Sequence, residues 1–465
     1  MNTFVNAVAT VPVETRTDNG MKTFTSSKSA LVDLFFAIGA SRGKDVSKEF
    51  TQALMEDSTL AMRMLAWARD VRGGAGEREV VRKILLSLEK NYPDQLNRIL
   101  PHLAEFGRWD DLLIFQTQEF KEKAYVLIGN ALRERNGLCA KWMPRQGPVA
   151  VEIRNFFGMS PKFYRKSLVE LTNVVETQMC ANTWPEINYS HVPSVAAARY
   201  QKAFKKHDPV GYEAYKAKLT TGEAKVNAAA VYPYDVIKSR KHGGDDKVIL
   251  AQWDALPNYI GDELVLPVCD VSGSMSCPVG GNANLTCMDV CVSLGLYLAD
   301  KNKGPFKDMF LTFSTKSKLK VLKGNLIDKL NQLQSADWDM STNLHAAFEE
   351  ILNYAVKGKV DAKDMPRYVL IMSDMQFNQC TKHDDSAMQM IERKYAEAGY
   401  NVPNIVFWNL NAKAGQVPVK HDKKGVALVS GFSPAIMKSI LSAESLDPVN
   451  VMLATINTPR YAVIQ

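Results

Sequence analysis

Apolar residues recur at two different spacings along this chain, and the switch between them constrains what it can fold into. From Ser29 to Leu113 the spacing is helical: Leu31, Leu34, Phe35 and Ile38, then Val81, Ile84, Leu85 and Leu88, then Leu96, Ile99, Leu100 and Leu103 each follow i, i+3, i+4, i+7. Gly39, Gly73-Gly74, Pro93 and Gly107 punctuate these runs at lengths suited to helical hairpins, and Leu168, Leu171 and Val175 resume the pattern after Ser160-Pro161. The first half therefore predicts an all-α domain, an irregular solenoid or helical array with no strict sequence period. After the polar, glycine-containing stretch 241–246 the rhythm changes. Strand candidates at Leu264–Cys269, Met309–Phe313, Tyr368–Met372, Ile405–Leu410 and Val426–Val429 alternate with helical segments near 285–300, 343–356 and 384–398, which is the βαβ pattern of a mainly parallel α/β sheet. Lys318–Leu322, alternating lysine and apolar residues, reads as an exposed edge strand.

Length and composition agree with a multidomain globular chain: 465 residues, 46% hydrophobic and 23% charged, exclude a disordered, collagenous or coiled-coil polymer. The division predicted is an α-helical domain over 1–262 and an α/β domain over 263–465. The apolar runs fall short of the ~20 residues that cross a bilayer, and the first residues carry no secretory pattern. Seven cysteines, an odd number with no C-x-x-C pair, argue against a disulfide framework or a thiolate zinc site and imply a reduced, cytoplasmic setting. The net charge of +7 is unevenly placed. Residues 121–166 hold ten basic residues against Glu122, Glu134 and Glu152.

The first strand of the second half ends in Asp270-Val271-Ser272-Gly273-Ser274-Met275-Ser276, at the carboxyl edge where open α/β sheets bind ligands. A carboxylate and two hydroxyls at alternate positions suit a hard cation such as Mg²⁺ or another divalent ion, and equivalent loops offer Thr342 and Asp374. Ser272-Gly273-Ser274 could instead be a turn whose hydroxyls cap the following helix. A hydrolytic reading would use Ser274 with Asp374 and His383 or His421, but serines rather than glycines flank the site. A phosphatase using Asp270 would want a carboxylate at Ser272. The set resembles the metal-ion-dependent adhesion site of von Willebrand factor A domains. That resemblance implies Ser272, Ser274 and Thr342 as direct Mg²⁺ ligands, Asp270 and Asp374 acting mostly through water, and a position left for a partner's carboxylate.

In the first half, Arg69-Asp70-Val71-Arg72-Gly73-Gly74-Ala75-Gly76-Glu77-Arg78 and Phe106-Gly107-Arg108-Trp109-Asp110-Asp111-Leu112-Leu113 resemble the helical-repeat domain of Ro and telomerase-associated (TROVE) proteins and their viral and uncharacterised relatives. Tyr164-Arg165-Lys166 and Ile187–Ser194 share the resemblance, and His191 falls where that family has a histidine at its RNA-contacting surface. The resemblance implies HEAT-like helical repeats in a ring or solenoid joined to a Rossmann-like von Willebrand A domain, and non-catalytic binding of small structured or single-stranded RNA, with a Mg²⁺-binding A domain for capture of a protein partner and no membrane association. The RNA-contact candidates are Arg133, Arg135, Lys141, Arg145, Lys162, Arg165, Lys166, His191, Lys202, Lys205 and Lys206, with Trp142, Phe163 and Tyr164 placed to stack bases. Asp110-Asp111 and Gly73-Gly74 read as structural, the aspartates accepting from loop amides and the glycines allowing a tight turn. The alternative function is a metal-dependent protein-interaction scaffold without RNA binding.

Overall fold

The computed structural model describes residues 14–228, 230–279, 282–313, 317–334, 343–379, 383–413 and 415–465. Two short strands, β1 (Glu14–Arg16) and β2 (Lys22–Phe24), form an N-terminal hairpin, and short helices follow from Ala30 to Asp254. They are short because breakers recur. The run through Leu96 and Leu103 is a case in point: Pro101 divides it into the helix Pro93–Ile99, a 3-10 turn Leu100–His102 and the helix Leu103–Phe106, where spacing alone reads as continuous. No described helix is long and apolar enough to cross a membrane.

The second half holds a six-stranded sheet. Its strands are β3 (Val265–Asp270), β6 (Met309–Phe313), β7 (Lys318–Val321), β8 (Tyr368–Ser373), β9 (Asn404–Asn409) and β10 (Val426–Ser430), in the order β10-β9-β8-β3-β6-β7. All neighbours are parallel except β7, which runs antiparallel to β6 at the edge. Every residue of β3, β8 and β10 is buried, which requires cover on both faces and explains why these strands read as unbroken apolar runs. Between β3 and β6 a small hairpin, β4 (Pro278–Val279) and β5 (Asn282–Thr286), leads into the helix Cys287–Lys301, whose first turn is fixed by a reciprocal cap between Thr286 and Asp289. From β3 the chain moves outward to β6 and β7, then returns to the other side of β3 at β8. The β3/β8 pair is thus the point where strand order reverses, the place where open α/β sheets in general form a binding crevice beyond the carboxyl ends of their strands.

The apolar core runs without interruption across residue 262. One cluster includes Phe35, Trp67 and Leu85 from the helices with Val268, Trp408 and Leu428 from the sheet. The helix Ala30–Ile38 ends against β10: the Ser430 hydroxyl donates to Phe35 O at 2.6 Å and accepts from the Gly39 amide at 3.0 Å. A Cβ on Gly39 would meet the Ser430 carbonyl at 2.5 Å, so only glycine permits this approach. The C-terminal residues return the contact, with Arg460 and Tyr461 both donating to Asp70. A second, smaller cluster around Tyr189, Phe204, Tyr212 and Tyr215 draws on residues between Val175 and Val248, while Val231, Tyr234 and Val236 of the same stretch join the main core.

Candidate metal centre and nucleic-acid interface

Asp270 ends β3 and is fully buried. Its carboxylate accepts from the Ser272 amide at 2.9 Å and from the Ser373 hydroxyl at 2.5 Å, so the turn after the strand is folded around it. A 3-10 turn over Gly273–Ser276 then carries Ser274 back beside Ser272, with the two hydroxyl oxygens 3.0 Å apart. On the adjacent strand Asp374 follows β8, nearly buried, bonded by the Ser274 side chain and by the Gln376 amide at 3.2 Å. Met375 beyond it adopts a left-handed backbone conformation, φ 65°. Four of the five sequence-predicted oxygen donors therefore converge. The fifth, Thr342, lies outside the described residues, while its neighbour Asn343 caps the helix Leu344–Gly358 by accepting from the Ala346 amide.

Among the described residues the two carboxylates of this site have no ion-paired cation. Burial, followed by the charge of Asp374, pushes the Asp270 carboxyl up to about 7, and burial raises Asp374 as well. Among the described residues no lysine or arginine forms an ion pair with either: Lys413, whose charge favours the Asp374 carboxylate, is paired to Asp18, and Lys44 donates to the Ala412 carbonyl. Two buried carboxylates beside two hydroxyls, with Lys44 and Lys413 acting on Asp374 without pairing to it, fit an oxygen-ligated divalent ion in donor type. His421 bonds the Ser27 carbonyl instead of the serine loop. Ser373 escaped the sequence reading; its place one residue before Asp374 at the strand end is the signal that marks it.

The basic window separates into two groups. Lys121, Lys123, Arg135 and Lys141 are paired to Glu152, Glu119, Glu170 and Glu176. Arg133, Arg145, Arg154, Lys162, Arg165 and Lys166 form no ion pair with the described residues; Arg133 reaches Asn130 and Arg145 reaches Thr172. Lys162, Arg165 and Lys166 stand at i, i+3 and i+4 of the helix Pro161–Leu171, on one side of it. A groove of about 390 Å³ on another side of that helix is lined by Arg133, Arg135, Phe157, Phe163, Glu170 and Leu171, among others, and not by Lys162, Arg165 or Lys166. Phe163 is 58% exposed at its edge. The other two stacking candidates do not face solvent freely: Tyr164 is buried and donates to Pro144 O, and the Arg108 guanidinium covers Trp142 at 3.9 Å. Lys202, Lys205 and Lys206 share a side of the helix Gln201–His207, and exposed His191 ends a 3-10 turn; both belong to the shell of the smaller apolar cluster. Arg154, unassigned from sequence, joins the unpaired group.

The arginine- and glycine-rich motifs of the first half form the scaffold. Asp111 is fully buried, receives Arg69 at 2.7 Å and Arg82 at 2.7 Å, and accepts from the Arg108 amide at 2.9 Å. Gly74 lies where a Cβ would be 1.9 Å from the Trp67 carbonyl.

Residues 17–124 and 151–263 match a family model described as a domain of unknown function, DUF2828, and residues 265–458 match another, DUF7788. "Uncharacterized protein L728" of Acanthamoeba polyphaga mimivirus is 29% identical over 500 aligned positions, spanning 94% of this chain and 86% of that protein. Among solved structures, the crystal structure of the Deinococcus radiodurans Ro (RSR) protein aligns over 93% of this chain and 99% of its own, at 14% identity and a TM-score of 0.38.

Proposed function

We propose that this chain is a non-catalytic RNA-binding protein that contacts RNA through the basic face around Phe163, and that its serine loop holds Mg²⁺ or a similar divalent cation for capture of a partner carboxylate. The observation that carries the reading is the segregation of charge: Lys121, Lys123, Arg135 and Lys141 are matched to glutamates, whereas Arg133, Arg145, Arg154, Lys162, Arg165 and Lys166 form no ion pair among the described residues, and exposed Phe163 lies on the same helix as Lys162, Arg165 and Lys166. Unmatched cations attract phosphates and release counterions, and an exposed ring offers a stacking surface to an unpaired base. Ser272, Ser274 and Thr342 would hold the cation, with Asp270 and Asp374 as its charge complement; bound there, the ion supplies a positive point to which an acidic group can add.

Ultraviolet cross-linking of the purified chain to a uridine-rich single-stranded RNA, followed by peptide mapping, tests the RNA contact. Cross-links are expected on peptides from 154–166. An absence of cross-links anywhere, together with preparations free of nuclease-sensitive absorbance, would instead favour the carboxylate-capturing scaffold.

A further inference from the structure

Cys277 directly follows the serine loop, and Cys287 opens the helix Cys287–Lys301. The two stand opposite each other at the base of the β4–β5 hairpin, where Pro278 pairs with Thr286 and the Cys287 amide donates to the Cys277 carbonyl at 3.1 Å. Their sulfur atoms are 3.3 Å apart. Their surroundings differ in a way that assigns roles. Cys277 is partly exposed and its sulfur accepts from the Asn411 amide nitrogen at 3.5 Å, whereas Cys287 is buried against the Leu410 carbonyl. The partly exposed Cys277 sulfur is the one an external oxidant reaches first, with the buried Cys287 sulfur behind it.

We propose that Cys277 and Cys287 are a reversible dithiol–disulfide site whose oxidant is a hydroperoxide. The Cys277 thiolate attacks a peroxide oxygen; an S–O bond forms, the O–O bond breaks, and the departing hydroxide takes up a proton to leave as water when the oxidant is H₂O₂. The Cys287 sulfur then attacks the Cys277 sulfenic acid, forming the S–S bond as the S–O bond breaks, and the oxygen departs with a proton as a second water. Two thiols and one peroxide give one disulfide and two waters, both electrons coming from the sulfurs, and an external dithiol reverses the change. The bond closes the hairpin three residues after Ser274, so oxidation ties the serine loop to the start of the helix. The remaining described thiols contrast with this pair: Cys139, Cys269 and Cys291 are fully buried, and exposed Cys180 lies on a separate helix, Val175–Cys180.

The reduced full-length chain would be treated with H₂O₂, blocked by alkylation without reduction, and cleaved with chymotrypsin, which cuts at Leu285 between the two cysteines. The expected product is a linked pair of peptides carrying Cys277 and Cys287, lost on treatment with dithiothreitol. In Cys287→Ser the Cys277 sulfur should accumulate as sulfenic and sulfinic acid instead. The proposal is overturned if a dose that fully modifies Cys180 leaves both thiols alkylatable, or if the unmutated chain over-oxidises Cys277 without forming the link.

Discussion

At the scale of single residues, the molecule places charge in its interior in three distinct ways. Asp111 is matched: two arginines and a backbone amide complete its hydrogen bonding, so Asp111→Ala leaves Arg69 buried without a counter-charge and should cost about 3–5 kcal/mol in urea unfolding. Glu77 is under-matched, because burial pushes its carboxyl up to about 7 although Arg42 lies 3.0 Å away. Its folded value exceeds its ordinary value of 4.5, so the folded chain holds an extra proton between about 4.5 and 7, and this group's contribution to stability falls as pH rises through that window. Glu77→Gln should therefore shrink the loss of stability between pH 5 and pH 8, and an unchanged loss would assign that pH dependence elsewhere. Asp270 has no cationic partner among the described residues. Asp270→Asn, which removes a desolvated charge repelled by Asp374, should raise metal-free stability while abolishing stabilisation by Mg²⁺; for a site filled at 100 times its Kd that stabilisation is about 2.7 kcal/mol. Thermal melting with and without EDTA reads both effects.

At the scale of elements, the sequence was legible wherever local chemistry decides structure. Parallel strands buried on both faces must be continuous apolar runs, so β3, β6, β8, β9 and β10 emerged within a residue or so of their ends, as did the lysine-alternating edge strand β7. The four oxygen donors of the site were legible for a related reason, since strand ends set their positions. What depends on distant contacts was not. Nothing local reveals that Phe24 pairs with Val417, that Asp70 of the glycine-rich motif receives Arg460, or that Tyr164 points inward while Phe163 points outward on the same helix. The thiol pair was missed because ten residues separate its members and only hairpin pairing brings them together. Close packing of the helix Cys287–Lys301 on β3 sets the position of the serine loop, and Gly295 permits it: an added Cβ would stand 2.2 Å from the Cys269 sulfur. Gly295→Ala should destabilise the chain by about 1–3 kcal/mol, measured by urea unfolding. Gly295→Ala paired with Cys269→Ala, which removes the clashing atom, should recover part of that loss.

At the scale of the whole molecule, a helical first half and an α/β second half share one apolar core, fastened where Gly39 meets Ser430 and where Tyr461 meets Asp70. The arrangement holds the basic helices and the serine loop in one body, with each surface made by different elements. Under the proposed function these surfaces act separately: RNA affinity should respond to the basic face and remain indifferent to the serine loop. The central claim is tested most directly by titrating the intact chain with single-stranded RNA at several salt concentrations, beside a variant with Arg133, Lys162, Arg165 and Lys166 changed to Glu and a second with Asp374→Ala. Phosphate-dominated binding gives a log–log slope of about −0.7 per phosphate neutralised, so the charge-reversed chain should bind more weakly and with a shallower slope, while Asp374→Ala keeps both affinity and slope. Equal affinity and equal slope for the charge-reversed and unmutated chains would contradict the account.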